Sequence, residues 1–351
     1  TQSSIEHLQK EKELFEAQEL TDSEGSKERG WEAERNAEEA RFARELGQTQ
    51  SSMVMWNGNQ IWRVVRNPLT TQLNDALQAA QETGAGDSKA FRKAVADIIH
   101  HVQTTEPKSE SEFLGLNYVK QKASLLLFAD LIFMDPTVRS DAIIDDTERA
   151  LIVGELDPRI ALLLVPLLRR EVLQGPQGIW VHAGLAEVTE AYVQRLDKTE
   201  NTGASDAAVL DMIKRFLLSW QQKRGYGSIT DENYVFDSVD AALLHLLLEQ
   251  DAQMSADQRV QSSIRAELNR LVDNWKGSFD RAVALLESYR RLFVLSRLYQ
   301  SHRMSGNVLK TWRRIIDGEE DRGGEVTVGG TEAQMRRYLV KIKDAQLVEG
   351  Y

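Results

Sequence analysis

The sequence contains no cysteine and only six prolines in 351 residues. Without cysteine the chain can form no disulfide, no thiolate nucleophile and no zinc or iron–sulfur site built on cysteine ligands. This fits a cytosolic or cytosol-facing protein. The low proline content and the abundance of alanine, leucine, glutamate, glutamine and arginine favour helix nearly throughout. Runs of β-branched residues with strict alternation are scarce, which disfavours a sheet-based fold.

Long hydrophobic runs and an excess of basic residues are also missing. The longest apolar stretch, Ile160 to Leu168, has nine residues, which is too few to span a bilayer and is typical of a buried helix. The net charge of −11 argues against a nucleic-acid partner, which requires a basic surface. No cationic–apolar leader follows Thr1, so no signal peptide is visible. Because an initiating methionine is missing and Tyr351 falls within a helical pattern, we expect a truncated piece of a longer protein.

The acidic charge is concentrated near the start of the sequence. Residues 1–47 hold 13 acidic and 7 basic residues and so contribute −6 of the total. They contain two charged helical stretches, 5–20 and 27–46, with sparse apolar residues and a turn-like segment between them. We interpret residues 1–50 as a charged helical arm that is solvated and partly mobile, with a dedicated binding helix as the alternative.

From Pro68 onward the pattern resolves into pairs of helices. Successive pairs begin 41, 48, 47, 51 and 49 residues apart, near Pro68, Ser109, Asp157, Ala204, Ser255 and Met304. This spacing is typical of helical-hairpin repeats. Helix starts are marked by a capping side chain directly before a proline, at Asn67-Pro68, Asp135-Pro136 and Asp157-Pro158.

Several predicted helices are apolar on two sides. The helix predicted over Ser278–Gln300 carries apolar residues on two faces, and the same pattern recurs over Leu125–Phe133, Ile160–Leu168 and Ala241–Leu248. Such coverage is expected in a stack in which each hairpin lies between two neighbours. We therefore predict an all-α fold, namely an α-solenoid of stacked helical hairpins over residues 51–351.

No arrangement of catalytic or metal-binding residues emerges from the sequence. The six histidines include the adjacent His100 and His101, and none has the spacing of metal ligands, so we interpret them as structural or surface side chains. The glycine-bearing stretches 175–178 and 323–330 lack the ending and the preceding strand of a phosphate loop, and we interpret them as loops between helices. We predict a non-enzymatic protein with no catalytic residue, metal site or cofactor.

Candidate partner-binding residues lie in the segment 53–66. Trp56 and Trp62 are followed by Arg63 and Arg66 in a short apolar stretch. Tryptophan and arginine are enriched among the residues that anchor protein interfaces. We predict that these four residues bind a partner. The alternative is that both tryptophans dock the N-terminal arm onto the helical scaffold.

The most distinctive segment is 295–319. The pair Leu298-Tyr299 ends one predicted helix, and the next carries a Val-Leu-x-x-Trp pattern up to Trp312, followed by a Trp-x-x-Ile-x-x-Gly-Glu ending and an acidic glycine-rich loop. This pattern resembles the family of vacuolar protein sorting-associated protein 3 and the TGF-beta-receptor-associated protein. The resemblance is strongest over residues 155–351. The matching positions are packing residues, since the family has no catalytic motif.

The resemblance implies a scaffold subunit of CORVET, an endosomal tethering complex that supports vesicle tethering and fusion in transport to the vacuole or lysosome. It implies partners in the core shared by CORVET and HOPS. It also implies a Rab GTPase of early endosomes, bound through a part of the protein that is not in this chain. The location implied is cytoplasmic, peripheral on endosomal or vacuolar membranes. The sister subunit of the HOPS tether, a generic helical-repeat coat or pore adaptor, and an all-α enzyme remain as alternatives.

Overall fold

A computed structural model gives the fold of the chain, which divides into two compact units, Thr1–Asn67 and Pro68–Tyr351. The structure describes the backbone of residues 53–57 and 60–64 and, in the second unit, residues 68–83, 87–176, 178–179, 181–199, 202–225, 229, 231–255, 262–324 and 327–342. The charged arm predicted over residues 1–50 lies outside the described residues.

The described part of the first unit is a β-hairpin. Strands β1 (Met53–Asn57) and β2 (Gln60–Val64) pair in antiparallel register along their whole length. The α-solenoid predicted over residues 51–351 is therefore wrong for residues 53–57 and 60–64, which form strands and not helix. The missed signal is Gly58-Asn59 between the two apolar runs, because a two-residue Gly-Asn connection is typical of tight hairpins.

The described part of the second unit is all-α, as predicted, and contains thirteen α-helices. In chain order they are α1 (Leu69–Thr83), α2 (Ser88–Thr104), α3 (Glu110–Phe133), α4 (Asp141–Gly154), α5 (Pro158–Leu163), α6 (Ala183–Leu196), α7 (Ala207–Gln221), α8 (Glu232–Gln253), α9 (Ile264–Asp273), α10 (Phe279–Ser288), α11 (Leu292–Ser301), α12 (Ser305–Ile316) and α13 (Val328–Leu339). Two short 3-10 turns, Arg169–Glu171 and Gly203–Ser205, lie in the connections before α6 and α7.

Capping side chains explain several helix starts. The Asp157 carboxylate accepts a hydrogen bond from the backbone N–H of Arg159 at 2.9 Å at the start of α5. The Ser109 hydroxyl accepts one from the backbone N–H of Glu112 at 3.2 Å at the start of α3. Each bond satisfies a backbone donor that has no partner within the helix. Both starts were predicted from the sequence, and both are confirmed.

The predicted start at Asp135-Pro136 is wrong. The Asp135 carboxylate accepts a hydrogen bond from the backbone N–H of Thr137 at 2.8 Å, which makes a local turn in place of a helix cap. Helix α4 begins later, at Asp141, where the Ser140 hydroxyl supplies the cap. A short polar side chain before a proline fits a turn as well as a helix start, and here the turn is formed.

The helix predicted over Ser278–Gln300 is two helices, α10 and α11. Arg290 adopts a left-handed φ of 51°, and the backbone N–H of Arg291 donates to the carbonyl of Leu286 at 2.9 Å, which ends α10. The Arg291 guanidinium is buried and paired with the buried carboxylate of Asp251 on α8. This tertiary contact accompanies a break that no glycine or proline marks in the sequence.

The apolar core of the described helices forms three clusters that follow one another along the chain. Helices α1 to α4 build the first, α3 to α8 the second, and α8 to α13 the third. Helix α3 belongs to the first two clusters, because Leu126 and Leu127 contribute to one while Leu125 and Phe128 contribute to the other. The predicted double coverage of α3 is therefore confirmed.

Helix α8 joins the second and third clusters in the same way. Leu243 and Leu246 belong to the second cluster, whereas Leu244 and Leu247 belong to the third. The double coverage predicted over Ala241–Leu248 is thus also confirmed. The run from Ile160 to Leu168 is largely buried in the second cluster, but α5 ends at Leu163 and the rest continues in tighter turns.

Most successive helices pack against each other, with one departure in the middle of the unit. Helix α4 packs against α7 as well as α3, while the intervening α5 and α6 pack against α8 and α3 respectively. The strictly regular stack of hairpins therefore stays a prediction. Within the part of the chain that the structure describes, no helix combines the length and the apolar character needed to cross a bilayer.

Candidate protein-binding groove

A groove of about 640 Å³ lies between α2 and α4. Its apolar lining comes from three helices. Leu127 of α3, Ile99 of α2 and Ala150 of α4 are buried, and Ile143 is half-buried. At one end of the groove Val138 is 60% exposed. An apolar depression between two helices, left open to solvent, is the kind of surface that a further helix can cover.

Basic side chains border this depression along α2. Lys89, Lys93 and His100 line the groove and are exposed. With Ala96 they follow the spacing i, i+4, i+7 and i+11, which places all four on one face of the helix. Neither lysine forms an ion pair with a carboxylate among the described residues. We call the whole depression the basic groove.

The opposite border, on α4, carries a paired charge. Arg149 lies 3.3 Å from Asp146 one turn earlier, and both side chains are well exposed. Such a pair contributes little to stability in water and adds no net charge to the border. The excess of positive charge at the basic groove therefore comes from α2.

A second polar feature is a buried ionic cluster beside α8. Glu171, which is 5% exposed, accepts hydrogen bonds from Arg281 of α10 at 2.9 Å and from Arg170 at 3.0 Å. His245 of α8 is also buried, and its Nδ1 lies 3.0 Å from the same carboxylate. These contacts join the turn at Arg169–Glu171 to two helices.

The cluster encloses its histidine from two sides. Arg170 Nη2 lies 3.0 Å from Nε2 of His245, while Nδ1 on the other side of the ring faces Glu171. Burial alone would raise the pKa of Glu171, but the hydrogen bond and charge of His245 and the charge of Arg281 together hold that pKa below its usual value. The cluster is therefore an internal set of pairs that holds elements together.

A smaller cavity of about 320 Å³ lies between α7, α8 and α9. Its buried carboxylate, Asp240, accepts hydrogen bonds from Gln221 at 2.7 Å and from Arg224 at 2.5 Å. Burial raises the pKa of Asp240, and these two bonds offset the effect only in part. Across the cavity Lys214 pairs with Glu267 at 3.3 Å. These charges are thus already paired within the chain.

The predicted partner-binding residues lie in or next to the first unit's hairpin. The backbone of Trp56 pairs with Ile61 and that of Trp62 with Met55, so the two tryptophans are not direct cross-strand partners. The side chains of Trp56, Trp62 and Arg63, and the whole of Arg66, lie outside the described residues. Their role stays a prediction.

The glycine-bearing stretches lie between helices, as predicted, with one difference in extent. The backbone N–H of Gly178 donates to the carbonyl of Gly175 at 2.9 Å in a turn before α6. In the second stretch, however, Gly329 and Gly330 belong to the first turn of α13, because the Thr327 hydroxyl accepts a hydrogen bond from Gly330 N at 3.2 Å and caps that helix. The loop is therefore shorter than predicted.

Over the residues that the structure describes, no group of three or more histidine, aspartate or glutamate side chains is placed to hold a metal ion. Compared with known proteins, the chain matches no family model, no curated protein and no solved structure.

Sequence reasoning missed the basic groove. A signal for its basic border was present, because Lys89, Lys93 and His100 share a helical face in the sequence itself. The apolar lining gave no such signal, since Leu127 and Ala150 come from different helices whose adjacency the sequence does not state.

Proposed function

We propose that the chain is a non-catalytic scaffold that holds other proteins and, more specifically, a subunit of an endosomal membrane-tethering complex of the CORVET type. The observation that supports this most is the succession of three apolar clusters joined through α3 and α8. A fold assembled in this way gains surface with each added pair of helices. Several modest contacts on such a surface can act together, because binding at one raises the effective concentration at the next.

The segment behind the family resemblance adds support through its packing. Helices α11 and α12 form a helix–turn–helix in which Leu298 is buried and Trp312 is 3% exposed. Trp312 packs edge-on against Tyr338 with ring centroids 5.2 Å apart. After α12, Gly318 adopts a positive φ of 97°, a conformation that favours glycine at a helix end. These residues pack the two helices together and end α12. Such roles agree with the resemblance, because the positions that carry it are packing residues.

In this proposal the chain binds subunits of the core shared by CORVET and HOPS and works at the surface of endosomal membranes. The contact with an early-endosomal Rab GTPase belongs to a part of the protein outside this chain. Membership of HOPS, or of a helical-repeat coat or pore assembly, makes different predictions about which subunits are bound.

Co-purification tests the proposal. The purified full chain is mixed with the shared core and with subunits specific to CORVET or to HOPS, and the bound fraction is measured. We expect binding to the shared core and to the CORVET-specific subunits. Binding to HOPS-specific subunits alone would transfer the chain to the sister complex. Binding to neither set would contradict the tether proposal.

A pair of variants at one buried position controls for folding. Leu298→Pro removes a backbone donor within α11 and is expected to abolish co-purification, since proline in a helix interior is destabilising by about 3 kcal/mol or more. Leu298→Met conserves volume and is expected to bind like the original chain. If Leu298→Pro lost its helical circular dichroism signal but still bound fully, specific recognition by this fold would be excluded.

A further inference from the structure

We propose that the basic groove binds an amphipathic helix of a partner protein, with apolar residues on one face and acidic residues flanking them. The inference rests on the proposed function, because it assigns a partner class to a chain that we propose to act by holding other proteins. The basic groove offers both parts of the required surface. Its apolar lining would cover the apolar face, and the basic border on α2 would meet the acidic flank.

The geometry of the apolar lining favours a helix over an extended peptide. The lining is contributed by Ile99 of α2, Leu127 of α3 and Ala150 of α4, so it forms a depression between two neighbouring helices. A helix that lies along such a depression presents apolar anchors at i, i+3 or i+4, and i+7. A peptide bound by strand addition would need an unpaired sheet edge, and the described elements that line the basic groove are helices and the turn after α3.

The small side chain of Ala96 makes room at the centre of the basic border. Ala96 is exposed, lines the basic groove and lies between Lys93 and His100 on the same face of α2. A partner helix can therefore approach α2 closely at this point while its acidic residues reach the ammonium group of Lys93 on one side and the ring of His100 on the other. Close approach of helix backbones at small residues is a general feature of helix packing.

Charge complementarity points to an acidic partner. Lys89 and Lys93 have no carboxylate partner among the described residues, so an incoming carboxylate would not have to displace an existing pair. The positive charge is local, because the whole chain carries −11. That overall charge disfavours an extended anionic surface such as a lipid bilayer or a nucleic acid, whereas a short acidic helix meets only the basic border.

The length of α2 sets the length of the probe. Helix α2 has 17 residues, which corresponds to about 25 Å at the rise of an α-helix. The probe is therefore a fluorescein-labelled peptide of about 16 residues, with leucine at the anchor positions and glutamate beside them. A matched peptide has lysine in place of every glutamate. A third keeps the composition of the first but scrambles the anchor positions.

Fluorescence anisotropy with the purified full chain measures binding of each peptide. We expect the acidic peptide to bind at least about ten-fold more tightly than the lysine peptide and than the scrambled peptide. Raising the salt concentration should weaken the binding of the acidic peptide, because the charges on the border are exposed and easily screened. Equal affinity for the acidic and lysine peptides, or no binding of either, would overturn the proposal.

Variants locate the binding site. Lys89→Glu/Lys93→Glu reverses the border, and Ala96→Glu adds both bulk and negative charge at its centre. Each variant should lower the affinity for the acidic peptide by about ten-fold or more. The matched control is Lys198→Glu/Lys310→Glu, which makes the same charge change at exposed lysines that do not line the basic groove. If the control variant lowered the affinity equally, the effect would come from the net charge of the chain. The basic groove would then not be the binding site.

Two further readouts separate this inference from its alternatives. If a second copy of the chain occupied the basic groove, light scattering would show a dimer that Lys89→Glu/Lys93→Glu dissociates, and the partner assignment would be wrong. A chain that binds the acidic peptide but fails to co-purify with the tethering core would contradict the tether proposal alone. A chain that co-purifies but binds no acidic peptide would contradict the groove proposal alone.

Discussion

Arg92 on α2 donates a hydrogen bond from Nη2 to the hydroxyl of Thr147 on α4 at 2.5 Å. Its Nη1 donates to the Asp130 carboxylate and to the backbone carbonyl of Leu127 on α3, both at 3.0 Å. One guanidinium therefore joins three helices. Because its donors lie in a fixed planar fork, these bonds are compatible with only a narrow range of helix spacings. Arg92 also lines the basic groove, so this contact joins the three helices that surround it.

Replacing Arg92 should destabilise the second unit. Arg92→Met leaves the Asp130 carboxylate without its cation, and because both side chains are partly exposed we expect a loss of about 2 kcal/mol in the free energy of unfolding. Arg92→Lys keeps the positive charge but not the planar set of donors, so its loss of stability should be smaller than that of Arg92→Met. Urea denaturation measures both. Lys93→Met, at the exposed neighbouring position, should change stability by less than about 0.5 kcal/mol, and an equally small effect of Arg92→Met would contradict the bridging role.

The helices of the second unit were predictable where local signals agree with the packing. Ser109 and Asp157 are caps in the sequence and in the structure, and the apolar residues of α3 and α8 recur on two faces. The break at Arg290 was not predictable, because it coincides with a buried pair between Arg291 and Asp251 that are far apart in sequence. Tertiary contacts of this kind override local helix propensity.

Helices α3 and α4 meet at a position that accepts no side chain. A Cβ added to Gly154 of α4 would lie 2.7 Å from the Cβ of Ser124 and 2.4 Å from its hydroxyl oxygen. Gly154→Ala should therefore destabilise the unit by about 1–3 kcal/mol through overpacking. Ser124→Gly alone should be destabilising by about 1 kcal/mol, because glycine is a poor helix former.

The two substitutions should compensate each other when combined. In the Gly154→Ala/Ser124→Gly variant the new methyl group enters the space that the serine side chain left, so the loss should be clearly smaller than the sum of the single losses. A double-mutant cycle from urea denaturation gives the coupling energy. Additivity within about 0.5 kcal/mol would show that the helices move apart instead.

The basic groove was less predictable than the helices, for a physical reason. A charged face such as Lys89 and Lys93 can be read from helical spacing, but most charged faces are only solvated. What distinguishes this one is the apolar lining behind it, to which Leu127 and Ala150 contribute from separate helices. These residues lie next to each other only because α2, α3 and α4 pack together. The apolar pattern of each helix by itself does not predict that packing.

The ionic cluster at Glu171 should make stability depend on pH in the acidic range. The folded-state pKa of Glu171 lies below its usual value of 4.5, so the carboxylate stabilises the fold fully above that pH and progressively less as pH falls through the folded pKa. Arg170, Arg281 and His245 face this carboxylate.

The variant Glu171→Gln tests this dependence. At pH 7 it removes the negative charge opposite two arginines, and we expect a loss of about 2 kcal/mol. The difference in stability between this variant and the original chain should become smaller as the pH is lowered below 4.5. Thermal unfolding between pH 3 and 7 measures it, and Glu106→Gln, at an exposed position, should show no such trend. A difference that stays constant with pH would assign the effect of Glu171 to packing alone.

Trp312 of α12 donates from Nε1 to the hydroxyl of Ser296 on α11 at 2.9 Å, and both side chains are buried. Trp312→Ala removes a large buried side chain and should destabilise the unit by about 3–5 kcal/mol. Trp312→Phe keeps most of the apolar contact and loses the donor, so we expect a loss of about 1 kcal/mol from the hydrogen bond, with some further loss from the smaller ring.

Ser296→Ala tests the same bond from its other end. It leaves the buried N–H of Trp312 without an acceptor, which should be destabilising by about 1–3 kcal/mol. In the Ser296→Ala/Trp312→Phe variant no donor remains to be satisfied, so the double loss should be smaller than the sum of the two single losses. Urea denaturation of the four chains closes the cycle. Strict additivity would mean that the hydrogen bond contributes nothing, and that Trp312 joins α11 to α12 through apolar contact alone.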